Sequence, residues 1–472
     1  MKSDGITRRE FIQSTALGIG GLATMGPHCV ATSLRGKGGG RPNILFILTD
    51  DQRWDAMGCS GNRIIKTPNM DSLARNGVRF ENAFVTTPIC AASRASIFTG
   101  LHERTHGFTF RTPPLSHNYT QISYPFLLRR AGYQTGFIGK FGVQVEKGDV
   151  SHMFDTFVPL ERTPYVKAKD GGTRHLTDIC GDESVRALHR FNTGRPFCLS
   201  ISFHAPHAED GDPRQYLWPE ACDQLYEEVS IPKPKLAEPD FFESHPRFLQ
   251  SSLNRVRWGW RFDSPEKYQT MIKGYYRMIS GVDMVVGRIM AELKALGLDK
   301  NTIIILMSDN GYFLGERGFA GKWLLHESSI RVPMIMYDPR SAGTHAHGVM
   351  DQMVLNIDMA PTILDMAGVP IPEIIQGRSL TPLLRDKQLE WRGEAFFEHL
   401  FDHDRIPQSE GIRTTEWKYI RYRHHPEFRE LYDLSKDPIE EVNLAYNMRY
   451  RDRLDYFDER CEKIIKSLSR PI

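Results

Sequence analysis

Short apolar runs rich in β-branched residues, separated by helical patterns, are the feature that most narrows the fold of this chain. A run without polar positions suits a strand buried on both faces, as in a mainly parallel sheet covered by helices on both sides. The sequence therefore predicts an α/β fold with a large, mainly parallel sheet sandwiched by helices. The predicted strands are Asn43 to Thr49, Thr135 to Ile138, Phe197 to Phe203, Thr302 to Ser308 and Val332 to Tyr337, and the predicted helices include Pro68 to Asn76, Tyr124 to Ala131, Glu266 to Leu296 and Ile357 to Ala367.

The pattern changes after about Arg385, where short strand-like segments alternate with polar turns. A helical pattern then runs from about Tyr450 to Leu468. These features predict a smaller α+β C-terminal subdomain with a short antiparallel sheet. A chain of 472 residues is long enough for one large α/β domain with such an addition. We predict a leading segment over 1–40, the main domain over 41–385 and the C-terminal subdomain over 386–472.

The leading segment has the order of an export signal. Thr7 to Ile12 contains the pair Arg8-Arg9, followed by the weakly apolar stretch Ser14 to Met25 and a Gly-rich linker from Arg35 to Arg41. That stretch is too short and too Gly-rich to span a bilayer as a helix. The order favours a twin-arginine signal for export of a folded bacterial protein over a disordered basic tail. We expect a periplasmic or secreted protein whose mature form has no transmembrane anchor.

The net charge and the cysteine spacing argue against a nucleic-acid-binding protein and against a zinc-cluster or disulfide-rich protein. The formal net charge is only +2, and no basic run is long enough to suggest a nucleic-acid groove. The cysteines are scattered, with no CxxC pair and no zinc-ligand spacing. Neither a zinc cluster nor a dense disulfide framework is expected.

Two of the predicted strands end in acidic residues. Asn43 to Thr49 is followed by Asp50-Asp51, and Thr302 to Ser308 is followed by Asp309-Asn310. Either pair alone is more simply a helix cap or a turn. Together, at the carboxyl ends of two strands, they supply three carboxylates and one amide to the edge where such sheets bind ligands. Hard oxygen ligands of this kind favour Ca²⁺ or Mg²⁺ over zinc.

A segment between these two strands carries a recognisable motif. Cys90, Ala92, Arg94, Thr99 and Gly100 fit the signature Cys-x-Pro/Ala-x-Arg followed by Thr-Gly. With it, the chain resembles the formylglycine-dependent sulfatases, the type I sulfatases of the alkaline phosphatase superfamily. The resemblance continues in the same order through Asn43 to Asp51, Thr67 to Ala74, Tyr133 to Lys140, Ala205 to His207, Ser308 to Gly311, Gly321 to Trp323, Glu327 to Pro333 and Asp358 to Thr362.

The resemblance implies an enzyme that hydrolyses sulfate esters, on a sulfated carbohydrate such as an algal polysaccharide or a glycosaminoglycan fragment. It implies that a maturation enzyme converts Cys90 to formylglycine (3-oxoalanine), which hydrates to a gem-diol. One hydroxyl attacks sulfur and the alcohol leaves. Deprotonation of the second hydroxyl then expels sulfate and re-forms the aldehyde, which gives nucleophilic catalysis a release step that a thiol would lack.

The resemblance also assigns a metal site. Asp50, Asp51, Asp309 and Asn310, with the modified Cys90, would hold Ca²⁺, with Mg²⁺ as the alternative. Such a cation lowers the pKa of a bound hydroxyl.

Four further residues receive roles by the same resemblance. Arg94 would orient the gem-diol through its rigid donor fork. Lys140 and Lys322 would contact the diol and the sulfate. His207 would bind sulfate and, together with Lys322, supply the proton for the leaving group.

One position departs from the family pattern. Many relatives have a histidine two residues after the lysine equivalent to Lys140, where it helps to deprotonate the second hydroxyl, but this chain has Gly142. His106 and His204 are the candidates for a substitute base, and expulsion of sulfate by another route is the alternative.

Two other functions stay open at the level of sequence. A formylglycine-type phosphodiesterase or phosphonate monoester hydrolase would share the motif, and a non-catalytic exported glycan-binding protein could keep the scaffold with Cys90 unmodified. The sequence does not select the sugar or the oligomeric state. Asp210 to Pro265 and the tract from Phe397 to Arg405 are candidate specificity elements, with ordinary surface loops as the alternative.

Overall fold

A sheet of eight strands lies at the centre of the molecule. The computed structural model of the chain describes residues 40–110, 112–169, 171–341 and 347–468. The twin-arginine pattern and nearly all of the predicted leading segment therefore lie outside the described residues. In order across the sheet, the strands are Gly348–Met350, Val78–Phe80, Met334–Tyr337, Thr302–Ser308, Asn43–Thr49, Phe197–Ser202, Gln134–Gly139 and Thr156–Pro159.

The sheet is mainly parallel, and its register sets the height of the strand ends. Met334–Tyr337 is antiparallel to both of its neighbours, whereas the other pairings are parallel. Thr49 pairs with Ser308, so Asp50 and Asp309 leave their strands at the same level. Gly139 pairs with Ser202 near the same edge. The carboxyl ends of the central parallel strands therefore meet where the sequence predicts a site.

Alternate residues of the central strand Asn43–Thr49 pack into two different hydrophobic clusters. Leu45 and Ile47 belong to one hydrophobic cluster, and Ile44, Phe46 and Leu48 belong to the other. Helices Pro68–Asn76, Leu176–Phe191 and Pro265–Ala295 contribute to the first cluster, and helices Cys90–Thr99, Tyr124–Arg130 and Met359–Met366 contribute to the second. The α/β sandwich predicted from the apolar runs is confirmed.

Several predicted element boundaries shift for local reasons. The strand predicted from Val332 begins at Met334, because Pro333 has no N–H to donate to a ladder. The helix predicted from Ile357 begins at Met359, after a 3₁₀ turn over Asn356–Asp358. Helix Cys90–Thr99 was not predicted as a helix, because all ten of its residues are buried and leave no amphipathic period to read.

Residues after 385 form the predicted antiparallel sheet and final helix. The four strands, in order, are Glu394–His399, Ser409–Thr414, Trp417–Tyr422 and His425–Asp433. Helix Arg451–Leu468 packs on one face through Leu454, Phe457 and Cys461. The other face shares a hydrophobic cluster with residues of the main domain such as Phe313 and Leu325. The boundary at 385/386 stays a prediction.

The segment from 210 to 265 is not a structureless loop. It contains the helices Pro239–Glu243, Arg247–Gln250 and Leu253–Arg261. Their shortness explains why no clear period is visible in the sequence. The remaining helices are Glu103–His106, His117–Thr120, Asp149–Met153, Glu327–Ile330 and Thr381–Arg385, and the remaining short strands pair Ala83–Phe84 with Val354–Leu355, Phe313–Leu314 with Ala320–Gly321, and Val166–Lys169 with Gly172–His175.

A search of the described residues finds no helix with the length and apolar character needed to cross a membrane. The six cysteines in this part of the chain are free thiols.

Candidate active site

Three carboxylates and an amide meet at the carboxyl edge of the sheet, as the strand ends predict. Asp50, Asp51, Asp309 and Asn310 are all buried. The Asn310 side-chain N–H donates to Asp51 Oδ1 over 2.6 Å. Asp50 Oδ1, Asp51 Oδ2 and Asn310 Oδ1 are buried oxygens with no hydrogen-bond partner among the described residues. Buried oxygens of this kind are costly unless a donor or a cation satisfies them, so this donor set fits a hard divalent cation.

Cys90 stands at the first position of helix Cys90–Thr99 and faces the carboxylates. One ligand atom each from Asp50, Cys90 and Asp309 lies within 4.8 Å of the others. Arg94 is one turn further along the helix, on the same face as Cys90. Its Nε donates to Asp309 Oδ2 over 2.8 Å, and its Nη2 is buried without a partner among the described residues. The motif spacing thus puts the thiol and a guanidinium donor beside the same carboxylate.

Two lysines and a histidine complete the cluster. Lys140 follows strand Gln134–Gly139, and its ammonium donates to Asp50 Oδ2. Lys322 Nζ lies 2.5 Å from Asp51 Oδ1 and 3.7 Å from Asp50 Oδ1. His207 Nε2 lies 3.7 Å from Asp51 Oδ2. All nine side chains predicted from the sequence are therefore assembled at one place.

The charges of the clustered side chains shift the pKa values of their neighbours. Burial alone would raise the pKa of Asp50, but the charges of Lys140, His207 and Lys322 hold it well below its usual range. Burial and the neighbouring Asp50 charge raise the pKa of Asp309 to about 6. Burial would lower the pKa of Lys322, but the nearby carboxylates of Asp51 and Asp50 raise it. The lysine is therefore held as a cation against the acidic edge of the sheet.

His207 has a neighbour that the sequence gave no reason to single out. Arg162 Nη1 lies 2.6 Å from His207 Nδ1, and the Arg162 guanidinium also pairs with Glu209 at 3.2 Å. Burial, with the nearby charges of Lys322 and Arg162, lowers the pKa of His207 well below its usual value. Arg162 has no motif around it, so only the fold reveals the contact.

Gly142, where the resemblance leads one to expect a histidine, lies beside the cluster. Gly142 has a φ of 72°, and a Cβ there would lie 3.0 Å from Arg94 Cδ and 3.7 Å from Lys140 Cε. A larger side chain would meet both backbone strain and close packing against Arg94. This position therefore borders the cationic residues of the site but contributes no side chain.

The two candidate substitute bases have different surroundings. His106 Nε2 lies 3.0 Å from Ser96 Oγ, and its Nδ1 accepts a hydrogen bond from the Phe108 N–H, so both ring nitrogens are engaged. His204 Nε2 lies 2.6 Å from the Leu160 carbonyl, which leaves Nδ1 without a partner among the described residues. Burial and the charge of Lys140 lower the pKa of His204 to about 3. Of the two histidines, only His204 has a free ring nitrogen.

We expect Asp51→Asn to weaken Ca²⁺ binding by at least about 100-fold, because it removes one charge from a site built on carboxylate oxygens. Titration calorimetry of the metal-free protein with Ca²⁺ measures this directly. Asp55→Asn is the matched control, because Asp55 pairs with Arg53 near the surface and lies outside the cluster. Unchanged Ca²⁺ affinity in Asp51→Asn would contradict the assignment.

Comparison with known proteins decides the family. The sequence pattern of the family described as "Sulfatase" matches residues 42–369, which is more than half of the chain. A second pattern, described as "N-sulphoglucosamine sulphohydrolase, C-terminal", matches residues 315–467. The chain belongs to the sulfatase family. It is therefore an enzyme that hydrolyses sulfate esters, and the resemblance read from the motif is confirmed.

Two curated sulfatases and one solved structure are similar over most of the chain. The N-acetylglucosamine-6-O-sulfatase of Bacteroides thetaiotaomicron is 30% identical, over 87% of this chain and 84% of the relative. The arylsulfatase of Clostridium perfringens is also 30% identical, over 88% of this chain and 92% of the relative. A protein solved with its substrate D-glucosamine-2-N,6-O-disulfate has a TM-score of 0.79 and 27% identity, over 91% of this chain and 98% of that chain.

Proposed function

We propose that this sulfatase acts on a sulfated carbohydrate and that Cys90, converted to formylglycine, is its nucleophile. The observation that carries the proposal is the position of Cys90. Its sulfur lies within 4.8 Å of carboxylate oxygens of Asp50 and Asp309, at the first turn of a buried helix. A helix N-terminus favours anions, so this end of the helix suits a substrate that carries sulfate.

Asp50, Asp51, Asp309 and Asn310, with the modified residue 90, would hold Ca²⁺, with Mg²⁺ as the alternative. When bound, the cation supplies positive charge that acidifies the attacking hydroxyl and offsets the charge on a sulfate oxygen. Among the described residues, no group of side chains that could hold a metal lies apart from Asp50, so a second metal ion has no separate set of ligands there. A single cation is less suited to phosphate monoesters, which carry more charge and usually require two metal ions.

The other residues of the cluster orient residue 90, bind the sulfate or transfer protons. Arg94, fixed by Asp309, orients residue 90 from the same helix face. Lys140 and Lys322 offer ammonium donors to the sulfate oxygens. His207 lies on the Asp51 side of the cluster, and together with the Lys322 ammonium it would supply the proton for the departing alcohol. Of the two candidate bases, His204 would accept the proton that the missing histidine takes in relatives, because its Nδ1 is the ring nitrogen without a partner among the described residues.

The substrate class is inferred from the names of relatives. One relative is named for removal of a 6-O-sulfate from N-acetylglucosamine, and the protein in one similar structure is bound to a disulfated glucosamine. A sulfated sugar outside the cytoplasm also agrees with the twin-arginine pattern of the leading segment. We further propose export to the periplasm or the medium and maturation by a formylglycine-generating enzyme. Activity confined to the cytoplasmic fraction of the native host would refute export.

Mass spectrometry of the protein from its native host tests the nucleophile. The tryptic peptide Phe80 to Arg94 contains Cys90 as its single cysteine. Conversion to the aldehyde makes it about 18 Da lighter, a change that the gene sequence cannot show. A lighter peptide that reacts with an aldehyde reagent is the expected result. An unmodified thiol in native material would refute the proposal and favour the non-catalytic alternative.

A further inference from the structure

We propose that Arg257 forms a subsite for a second anionic group of the substrate, a sulfate or a carboxylate on the sugar that carries the scissile sulfate. This inference deepens the proposed function and rests on its assignment of a sulfated carbohydrate as substrate. It assigns a role to helix Leu253–Arg261 in the segment that the sequence singled out as a candidate specificity element.

The helix is attached to the loop that carries Lys322. The Asn254 side-chain N–H donates to the Lys322 carbonyl over 2.9 Å and to the Ala320 carbonyl over 3.3 Å. The Arg257 guanidinium lies over the ring of Trp323, the residue after Lys322, at 4.6 Å from the ring centroid. Trp323 has a φ of 85°, which turns the chain sharply at this point. Arg257 is therefore fixed next to the lysine that the proposed function places on the sulfate.

The charge around Arg257 is not balanced. Arg257 and Arg261 both donate to the carboxylate of Asp210, so two guanidinium groups share one negative charge. The Arg261 side chain is fully buried, whereas that of Arg257 is 11% exposed and that of Asp210 is 28% exposed. A buried charge requires a counter-charge more strongly than an exposed one. Asp210 offsets only one of the two positive charges, and Arg257 lies at the solvent-accessible end of the pair, where a substrate anion can offset the other.

Unused donors occur in the same cluster. Arg257 Nε, Arg261 Nε and Arg261 Nη1 are buried without a hydrogen-bond partner among the described residues, as are the hydroxyl groups of Tyr216 and Tyr312. Buried donors are normally satisfied, and among these Arg257 Nε belongs to the one side chain that reaches solvent, so it is the donor that a substrate anion would satisfy. A sulfate or carboxylate suits the planar donor edge of an arginine, which can bind two oxygens at once.

The subsite adjoins the residues to which the proposed function gives the proton for the departing alcohol. Asp210 follows Glu209 in the chain, and Glu209 forms an ion pair with Arg162. Arg162 in turn contacts His207. Arg162, with a side chain that is 27% exposed, and Arg257 therefore flank the His207 and Lys322 side of the site. A sugar whose sulfate contacts His207 and Lys322 would present a neighbouring substituent to this side.

The test compares the selectivity of the mature wild type and Arg257→Gln between paired substrates. One pair is D-glucosamine-2-N,6-O-disulfate and N-acetylglucosamine 6-sulfate, which differ in a second sulfate. The other pair is glucuronate 2-sulfate and glucose 2-sulfate, which differ in a carboxylate. We expect Arg257→Gln to reduce the preference for the doubly anionic member of at least one pair by about tenfold or more, mainly through KM. Arg257→Lys should restore part of it.

Arg255→Gln is the matched control on the same helix, because Arg255 lies over Phe242 and Trp258 and has no contact with Asp210. The Arg255→Gln variant should keep the preference for the doubly anionic substrate within about twofold of wild type, a shift of under half a kcal/mol. A change for the sulfate pair alone assigns the subsite to sulfate, and a change for the carboxylate pair alone assigns it to carboxylate. An unchanged preference in Arg257→Gln, or an equal loss on both members of each pair, overturns the proposal.

Binding of the desulfated products separates this inference from the proposed function. Calorimetry with D-glucosamine 2-N-sulfate and glucuronate needs no formylglycine and no turnover. If the wild type converts none of the sugars, the proposed substrate class fails. Tighter binding of these anions than of N-acetylglucosamine and glucose, lost in Arg257→Gln, would still establish the subsite. Equal binding of charged and uncharged products would refute it.

Discussion

Replacing Cys90 by alanine lowers kcat/KM for sulfate-ester hydrolysis by at least about 10⁴-fold, because the remaining residues can bind and polarise sulfate but cannot form a covalent bond to sulfur. Cys90→Ala removes the thiol that maturation replaces by an aldehyde. Hydrolysis of an aryl sulfate and of a sulfated monosaccharide, by protein made in the native host, measures the effect.

Cys59→Ala is the control for this experiment, since Cys59 is a free thiol that is only partly buried and lies outside the cluster. It should retain activity close to that of the wild type. Retention of the Asp50 and Asp51 oxygens predicts that Cys90→Ala still binds Ca²⁺, so loss of activity and loss of metal can be told apart. Residual turnover within tenfold of wild type would exclude Cys90 as the nucleophile.

Replacing Lys418 by methionine lowers the free energy of unfolding by about 3–5 kcal/mol, because it removes a buried cation that two buried carboxylates, those of Glu327 and Glu440, share. The Lys418 ammonium donates to Glu327 Oε1 at 2.7 Å and forms an ion pair with Glu440 Oε1 at 2.5 Å. The contact with Glu327 joins the C-terminal sheet to helix Glu327–Ile330 of the main domain, and the contact with Glu440 lies within the C-terminal part. Urea unfolding followed by tryptophan fluorescence and circular dichroism measures the loss.

The destabilisation should depend on pH. Burial would raise the pKa of Glu327, but Arg413 and Lys418 hold it far below its usual range. A depressed folded-state pKa contributes stability above the unfolded-state value of about 4.3 and loses it as pH falls. The difference in the free energy of unfolding between wild type and Lys418→Met should therefore become smaller as the pH falls. Lys436→Met, which removes an exposed lysine that pairs with Asp433, should change the free energy of unfolding little. Equal unfolding midpoints for wild type and Lys418→Met would refute the prediction.

The predictable part of the fold comes from patterns that are local in sequence. The strand Asn43–Thr49 and the strand Thr302–Ser308 have the predicted bounds, because an uninterrupted apolar run has one stable place, the interior of a covered sheet. Helix Cys90–Thr99 was missed because a helix buried on every side has no amphipathic period. The helix Leu253–Arg261 was missed because it is short and lies among prolines and aromatic residues without clear periodicity.

The candidate site also has a part that the sequence predicts and a part that it does not. The acids at two strand ends and the spacing of Cys90 and Arg94 could be read directly, because each depends on a few neighbouring residues. Arg162 and Arg257 could not, because an isolated arginine in sequence is indistinguishable from a surface residue. Their importance arises from contacts with His207 and with Trp323.

By itself, the sequence determined the buried central strands, several of the helices around them, the two acidic strand ends and the spacing between Cys90 and Arg94. These are consequences of side-chain periodicity and backbone chemistry over at most a few turns. Only the tertiary structure decided that Lys140, His207 and Lys322 reach the same carboxylates, which of the buried oxygens stay unpaired, and that two arginines share Asp210. Such contacts depend on the register of distant strands and on burial, which sets the strength of every charge in the site.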